Sequence, residues 1–447
     1  MQVGDPELVT DHRVTLANLR PGTQYYYVVG TGDIPLSGGP DFYFTTTPDR
    51  PKPTRIWAIG DAGTASAGNF GSWAVRDAYY QYAGNRETDV WLMLGDNAYY
   101  YGTDYEYQIA VFDTYPTLLR QKAMWSTLGN HETYAPLPSG GFSYFDIYDL
   151  PTAGEAGGVP SGTENYYSFD YGNIHFVCVD SEIAARTPGS PMLTWLEADL
   201  AANSNEWTIA FWHSPPYTKG SHDSDNLFDN RGNMTDMRAN VNPILESYGV
   251  DLVLSGHSHN YERSMLLNGH YGFSYELTPS MVLDSGSGKT NDTGAYLKPD
   301  TGPSANQGTV YIVAGSSGWA TFSTGFHPVM HVAYLTRGSL VIDVEGQRLD
   351  CRYLRDTGAI DDHFTILKGA PAEPLRFATI RVADGVVTAQ WKSVAGNVYR
   401  IQKSGGLKDD DWVTISDEIV ASGATTSWAD LVLPEDQKCF YRVALVQ

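Results

Sequence analysis

Cysteine is scarce, basic residues are outnumbered, and long apolar runs are missing, and each absence removes a class of function. Cys178, Cys351 and Cys439 are too few and too scattered for a disulfide framework or a thiolate metal site, so any bound metal must be held by nitrogen and oxygen. Cys178 lies in the apolar run Ile174-His175-Phe176-Val177-Cys178-Val179 and reads as a buried thiol behaving as a small hydrophobe. With 52 acidic against 29 basic residues the formal net charge is -23, which repels polyanions and excludes broad nucleic-acid binding through a basic face. No stretch approaches the roughly 18 apolar residues of a membrane span, and Met1-Gln2-Val3-Gly4-Asp5 starts no signal peptide. Hydrophobic residues at 42% exclude general disorder, and 447 residues imply more than one core.

Within the first 50 residues, Leu19-Arg20-Pro21-Gly22-Thr23-Gln24-Tyr25 and the alternation around Phe42-Tyr43-Phe44 read as the last strands of a fibronectin type III-like β-sandwich with its tyrosine corner. Such a sandwich takes about 100 residues, so residues 1–50 are a partial one. Leu16, Leu19 and Tyr25 would then face missing strands, and the segment is expected to lean on the next domain. Pro51-Lys52-Pro53 marks a linker. Residues 54–368 alternate short apolar runs with helical patterns, the signal of a helix-covered sheet. Strands are expected from Ile56, Val90, Met124, Trp207, Asp251 and Val310, and helices near 73–82, 106–120, 192–201 and 237–248. The polar stretch 284–308 reads as a long loop, a common form of functional lid. A second linker, Gly369 to Pro374, precedes an all-β module over 375–447 that carries no chemical constellation and reads as a packing or attachment module.

Five short motifs fall where expected strands end: Gly60-Asp61-Ala62-Gly63, Gly95-Asp96-Asn97-Ala98-Tyr99, Gly129-Asn130-His131-Glu132, Trp212-His213-Ser214-Pro215 and Gly256-His257-Ser258-His259. Carboxyl ends of strands are where helix-covered sheets bind ligands, and glycine lets the chain turn sharply there. Singly each motif is an ordinary turn; together, each closing an apolar run, they describe one centre. Carboxylate, phenolate, amide oxygen and imidazole suit iron, manganese and zinc, and Asp96 with its two oxygens can bridge a pair.

In this order, and followed by Asn260-Tyr261-Glu262-Arg263, the motifs resemble those of the metallophosphoesterases and, within them, the purple acid phosphatases. The resemblance spans residues 1 to about 368. It implies a four-layer α/β/β/α sandwich, here flanked by small all-β modules. Many metallophosphoesterases carry a histidine two residues after the first aspartate. This chain has Gly63 there and offers Tyr99, the purple acid phosphatase pattern in which a tyrosinate binds ferric iron. The resemblance implies Asp61, Asp96, Tyr99 and His259 as ligands of Fe(III), and Asp96, Asn130, His213 and His257 as ligands of a divalent zinc, iron or manganese. It further implies His131 and His222 as outer histidines, with Tyr100 and Tyr101 read as pocket wall. His327 and His331 match no ligand position and read as hydrogen-bonded core residues.

The implied reaction is hydrolysis of a small-molecule phosphate monoester by metal-bound hydroxide, with Asn130 and His131 holding oxygens and His222 protonating the leaving alkoxide. Three negative ligands against five metal charges leave two positive charges, which favour a phosphate dianion in an acidic protein. A phosphodiesterase or nucleotide pyrophosphatase on the same site is the enzymatic rival. An inert binding or adhesion protein is the remote one, and its expected mark, a lost ligand, is absent from all seven positions. The resemblance implies a secreted or periplasmic setting; the oligomeric state is left open.

Overall fold

A computed structural model of the chain describes residues 2–9, 12–32, 34–138, 140–300, 305–369, 377–393, 398–406, 412–423, 425–431 and 439–446. The linker expected after Gly369 lies outside these residues from Ala370 on. Two compact units separate at that point, Met1–Lys368 and Gly369–Gln447.

The first unit is built on two seven-stranded mixed sheets. One runs in the order Tyr296–Lys298, Ile360–Lys368, Arg348–Arg355, Gly338–Glu345, Thr54–Ile59, Val90–Met93, Met124–Ser126. The other runs Met330–Tyr334, Tyr261–Ser264, Val310–Ala314, Leu252–Ser255, Trp207–Phe211, Ile174–Cys178, Tyr167–Tyr171. Parallel pairing, central in the second sheet and at the Met124–Ser126 end of the first, accompanies the unbroken apolar runs, because such strands are buried on both faces. The period-two alternation then sorts the faces. Phe176, Cys178, Ile209, Phe211, Leu252 and Leu254 join one core with Ile56, Leu92 and Val341 of the facing sheet. The alternate residues Val177, Val179, Ala210, Trp212 and Val253 join Met192, Leu196, Leu200, Val241 and Leu245 of the helical segments 191–202 and 237–247. On the far side, helix Gly71–Ala83 lays Tyr79 flat on Trp57, ring centroids 4.3 Å apart. The result is the helix–sheet–sheet–helix sandwich that the resemblance implied, with Cys178 buried as a free thiol.

Two expectations change. The helix expected over 106–120 is interrupted, because Pro116 lacks the N–H a continuing helix needs and instead opens the short helix Pro116–Leu119. The stretch 284–308 is partly a strand: Tyr296–Lys298 pairs in parallel with Ile360–Lys368. Its buried Lys298 ammonium lies 2.7 Å from Asp251, at the amino end of strand Leu252–Ser255 and so away from the strand ends that carry the motifs. The described part of that stretch is therefore structural and no lid.

The start of the chain belongs to the same compact unit as the sandwich. Gln24–Thr31 and Ile34–Thr45 form an antiparallel hairpin, and the Arg20 N–H donates to the Tyr25 hydroxyl at 2.8 Å, the bond of a tyrosine corner. Tyr27 donates to the Arg120 carbonyl at 2.9 Å, Arg120 lies over the Phe42 ring, and Lys52 pairs with Asp89 at 2.5 Å. Proline-flanked Lys52 is thus pinned. Tyr26, Val28, Ile34 and Leu36 on the hairpin are exposed.

In the second unit, Phe377–Ala383, Val386–Lys392 and Thr425–Leu431 make one antiparallel sheet, and Val398–Ser404 pairs with Val413–Thr414, Ile419–Val420 and Phe440–Val446. Trp391, Tyr399, Ile401, Ala421 and Val443 form its small core.

Candidate metal centre

The five motifs meet at one end of the two sheets. Asp61, Asp96 and Asn130 follow strands Thr54–Ile59, Val90–Met93 and Met124–Ser126, while His213 and His257 follow Trp207–Phe211 and Leu252–Ser255. Asp61, Asp96 and His257 hold left-handed backbone angles, φ +55°, +53° and +66°. Each costs about 1–2 kcal/mol in a residue with a Cβ, and the surrounding bonds hold them there. The Asp61 N–H donates to Gly95 O and the Gly63 N–H to Asp96 O, both at 3.1 Å. Gly129 and Gly256 serve close approach and not turning. A Cβ on Gly129 would lie 2.2 Å from Asp96 Oδ1, and one on Gly256 would lie 2.6 Å from Asp61 Oδ2.

Two groups of donor atoms result. In the first, the Tyr99 phenol oxygen lies 3.1 Å from Asp61 Oδ1, 3.0 Å from Asp96 Oδ2 and 3.3 Å from His259 Nε2, and His259 Nε2 lies 3.3 Å from Asp61 Oδ1. In the second, Asn130 Oδ1 lies 3.1 Å from His213 Nε2 and 2.9 Å from His257 Nδ1, and His213 Nε2 lies 3.4 Å from Asp96 Oδ1. Adjacent ligands at roughly 2.1 Å from a six-coordinate ion stand about 3 Å apart, so both groups have the edge lengths of a coordination shell. Asp96 turns one oxygen to each.

The electrostatics ask for positive charge. Burial, then the Asp61 and Asp96 carboxylates, push the Tyr99 phenol well above its ordinary range, so it ionises only against a cation. Burial opposes a proton on His213, yet Asp96 and Asp61 outweigh it and raise that imidazole well above its usual value. Because the Leu94 carbonyl, 2.8 Å from His213 Nδ1, can only accept, the neutral ring keeps its lone pair on Nε2, aimed at Asn130 and Asp96. Bound cations would satisfy these groups. His257 Nε2 is buried without a hydrogen-bond partner among the described residues.

The outer histidines line the opening. His131 Nδ1 meets Tyr100 O at 2.8 Å, and its Nε2 faces Asp96 Oδ2 at 3.9 Å. His222 stacks on His257 with centroids 3.9 Å apart, and its Nδ1 meets Asp229 Oδ1 at 2.8 Å. All nine named positions therefore converge. His327 is elsewhere: it is buried, accepts the Val329 N–H at Nδ1, has no partner at Nε2 among the described residues, and is lowered to about 3, first by burial. His331 lies on strand Met330–Tyr334, half-buried and likewise lowered, first by burial.

Two contributors escaped the sequence reading. Glu132, quoted in a motif but given no role, accepts the N–H groups of Asp96, Asn97, Ala98 and Gly129 at 3.0, 2.7, 3.3 and 2.6 Å. Trp319 packs on Tyr99 with centroids 5.2 Å apart, and its indole N–H points to His259 Nε2 at 3.4 Å. Its signal was available: Gly315-Ser316-Ser317-Gly318 closes the apolar run Val310–Ala314 as the other motifs close theirs.

Residues 54–261 match the calcineurin-like phosphoesterase family, so the chain carries a domain of the metallophosphoesterase class. Within that class it is homologous to plant purple acid phosphatases. Purple acid phosphatase 21 of Arabidopsis thaliana is 29% identical over 260 residues, covering 56% of this chain and 53% of the relative. An uncharacterized protein of Mycobacterium tuberculosis is 25% identical over 331 residues, 68% of this chain and 57% of that one. The fold is that of the purple acid phosphatase PPD1 from yellow lupin seeds, with a TM-score of 0.57 at 19% identity over 73% of this chain and 56% of that chain. The chain spans about half the length of the curated relatives it matches.

Proposed function

We propose that this chain hydrolyses small-molecule phosphate monoesters at a centre of Fe(III) and a divalent zinc, iron or manganese. The observation that carries the reading is the split of Asp96, one oxygen in each donor group. In this reading Asp61, Tyr99, His259 and Asp96 hold the ferric ion, and Asn130, His213, His257 and Asp96 hold the divalent one. Bound there, the pair supplies Lewis acidity, lowering the pKa of water and neutralising phosphoryl charge. The residual charge of two favours the dianion of a monoester over the monoanion of a diester.

The remaining residues hold and move protons. Asn130 donates Nδ2–H to Tyr134 at 2.7 Å, which fixes Oδ1 toward the two histidines. His131 spends its Nδ1–H on the Tyr100 carbonyl and turns Nε2 to the centre, where it holds a phosphoryl oxygen only as the imidazolium, donating Nε2–H. His222 is held at Nδ1 by the Asp229 carboxylate, which orients the ring so that, when it carries a proton on Nε2, it can pass that proton to a leaving alkoxide. A secreted or periplasmic setting belongs to the same proposal and rests on the resemblance. No helix among the described residues is long and apolar enough to cross a membrane.

Metal analysis of the purified protein, with rates on a monoester and on its methyl diester, tests the reading. Iron with a second metal and faster monoester hydrolysis are expected; faster diester hydrolysis would favour the diesterase. An intact protein that binds no metal and cleaves neither ester would leave the inert binding protein.

A further inference from the structure

The opening of the centre is bordered by aromatic rings that the chemistry above does not use. Ring contacts run without a gap from Tyr134 to His131 at 4.8 Å, from His131 to Tyr99 at 4.4 Å and to Tyr100 at 6.3 Å. They continue from Tyr100 to Trp319 at 6.4 Å and from Trp319 to His259 at 5.6 Å. The inner members are proposed ligands or outer residues, but Tyr100 and Tyr134 are 49% and 46% exposed as residues. Single exposed aromatics are common on any surface; two placed against one outer histidine are not scattered.

The backbone under this border is fixed. Glu106 accepts the N–H groups of Tyr100, Tyr101 and Thr103 at 2.5, 3.1 and 2.9 Å, while the Tyr100 carbonyl is held by His131. Thr321, two residues past Trp319, donates its N–H to the His259 carbonyl at 3.0 Å. The backbone that carries Tyr100 and Trp319 is thus set before a ligand arrives, which removes part of the ordering cost of a stacking contact. Tyr100, Tyr134 and Trp319 are uncharged, so they would recognise the organic part of an ester by its flat face.

We infer that Tyr100, with Tyr134 and Trp319, forms a stacking subsite that selects phosphate monoesters of ring-bearing alcohols, nucleoside 5′-monophosphates above all, over esters of plain sugars. The inference rests on the monoesterase reading and adds the substrate class to it.

Adenosine 5′-monophosphate and ribose 5-phosphate share the same primary alkoxide leaving group and differ in the base, so their comparison isolates stacking from leaving-group reactivity. The metal-loaded full chain should favour the nucleotide roughly 5- to 150-fold in kcat/KM, expressed mainly in KM. Tyr100→Ala should bring that ratio toward one, and Tyr100→Phe should keep it. The Tyr100 side chain makes no hydrogen bond among the described residues, and near-ultraviolet circular dichroism would verify the fold of the variant. A ratio near one in the wild type, or one unmoved by Tyr100→Ala, overturns the subsite. If neither ester turns over, it is the monoesterase reading that fails, and calorimetry decides the subsite separately. Tighter binding of the nucleotide than of the sugar phosphate, lost in Tyr100→Ala, supports it; equal affinities overturn it.

Discussion

Glu132 holds Asp96 from behind: its Oε2 accepts the Asp96 N–H at 3.0 Å while its Oε1 accepts that of Asn97 at 2.7 Å. The carboxylate at the joint of the two donor groups thus sits on a backbone kept in a left-handed turn by a second carboxylate. Glu132→Gln exchanges one accepting oxygen for a donor, leaving buried N–H groups unpaired at a cost of about 1–3 kcal/mol. Metal affinity should fall roughly 10- to 100-fold, as for other groups that orient ligands. Competition with a chelator measures this; unchanged affinity and melting temperature would show that the turn holds itself.

Tyr99 supplies the only phenol among the proposed ligands. If it binds iron as tyrosinate, the protein carries a visible charge-transfer band and Tyr99→Phe loses it. A colourless protein, fully active with zinc or manganese in both positions, sinks the ferric assignment.

Asp96 alone belongs to both donor groups. Asp96→Asn should therefore lose metal and activity more completely than Asp61→Ala or His259→Ala, since without the bridge two cations roughly 4 Å apart repel unscreened. Equal metal content in the three variants would argue against the bridge.

His175 offers a stability test remote from the centre. Its Nδ1 lies 2.7 Å from Asp170 and its Nε2 2.9 Å from Asp199. Burial lowers its affinity for a proton, but the bonds to Asp170 and Asp199 outweigh burial and raise the imidazole to about 9. A raised folded-state value stabilises fully below the unfolded value near 6.5, and that contribution is lost as pH rises through about 9. The stability gap between wild type and His175→Phe should be up to about 3 kcal/mol at pH 6 and shrink by pH 10. Denaturant midpoints at the two values measure it; a constant gap means that the ring contributes packing alone.

What the sequence disclosed follows from what each feature depends on. Strands such as Trp207–Phe211 and Leu252–Ser255 were legible because burial on both faces makes them continuous apolar runs. Arg348–Arg355 and Ile360–Lys368 were not, since each carries charged residues on a partly open face and reads as mixed loop sequence. The proposed ligands were legible because a coordinating residue must stand at a strand end beside a residue small enough to admit its neighbour. Glu132 was not, because its partners are backbone N–H groups, which no side-chain pattern announces. Tyr100 could be named as wall, yet its exposure and its distance to Trp319 depend on two strand ends 219 residues apart meeting in the fold.

The last prediction separates His222 as a proton donor from His222 as a bystander, with the leaving group as the probe. An aryl phosphate departs as a stable phenolate and needs little protonation, whereas an alkyl phosphate departs as a strongly basic alkoxide and needs a proton in the transition state. His222→Ala should cost alkyl phosphates roughly 10² or more in rate and spare activated aryl esters. Metal content has to be measured alongside, because His222 stacks on the proposed ligand His257. Asp229→Asn should move the same ratio in the same direction by a smaller factor, since Asp229 holds Nδ1 and so aims the ring. Equal loss on both substrate classes would make His222 a phosphate-holding group. Loss on neither would transfer the role to His131, whose Nε2 faces Asp96 Oδ2 at 3.9 Å.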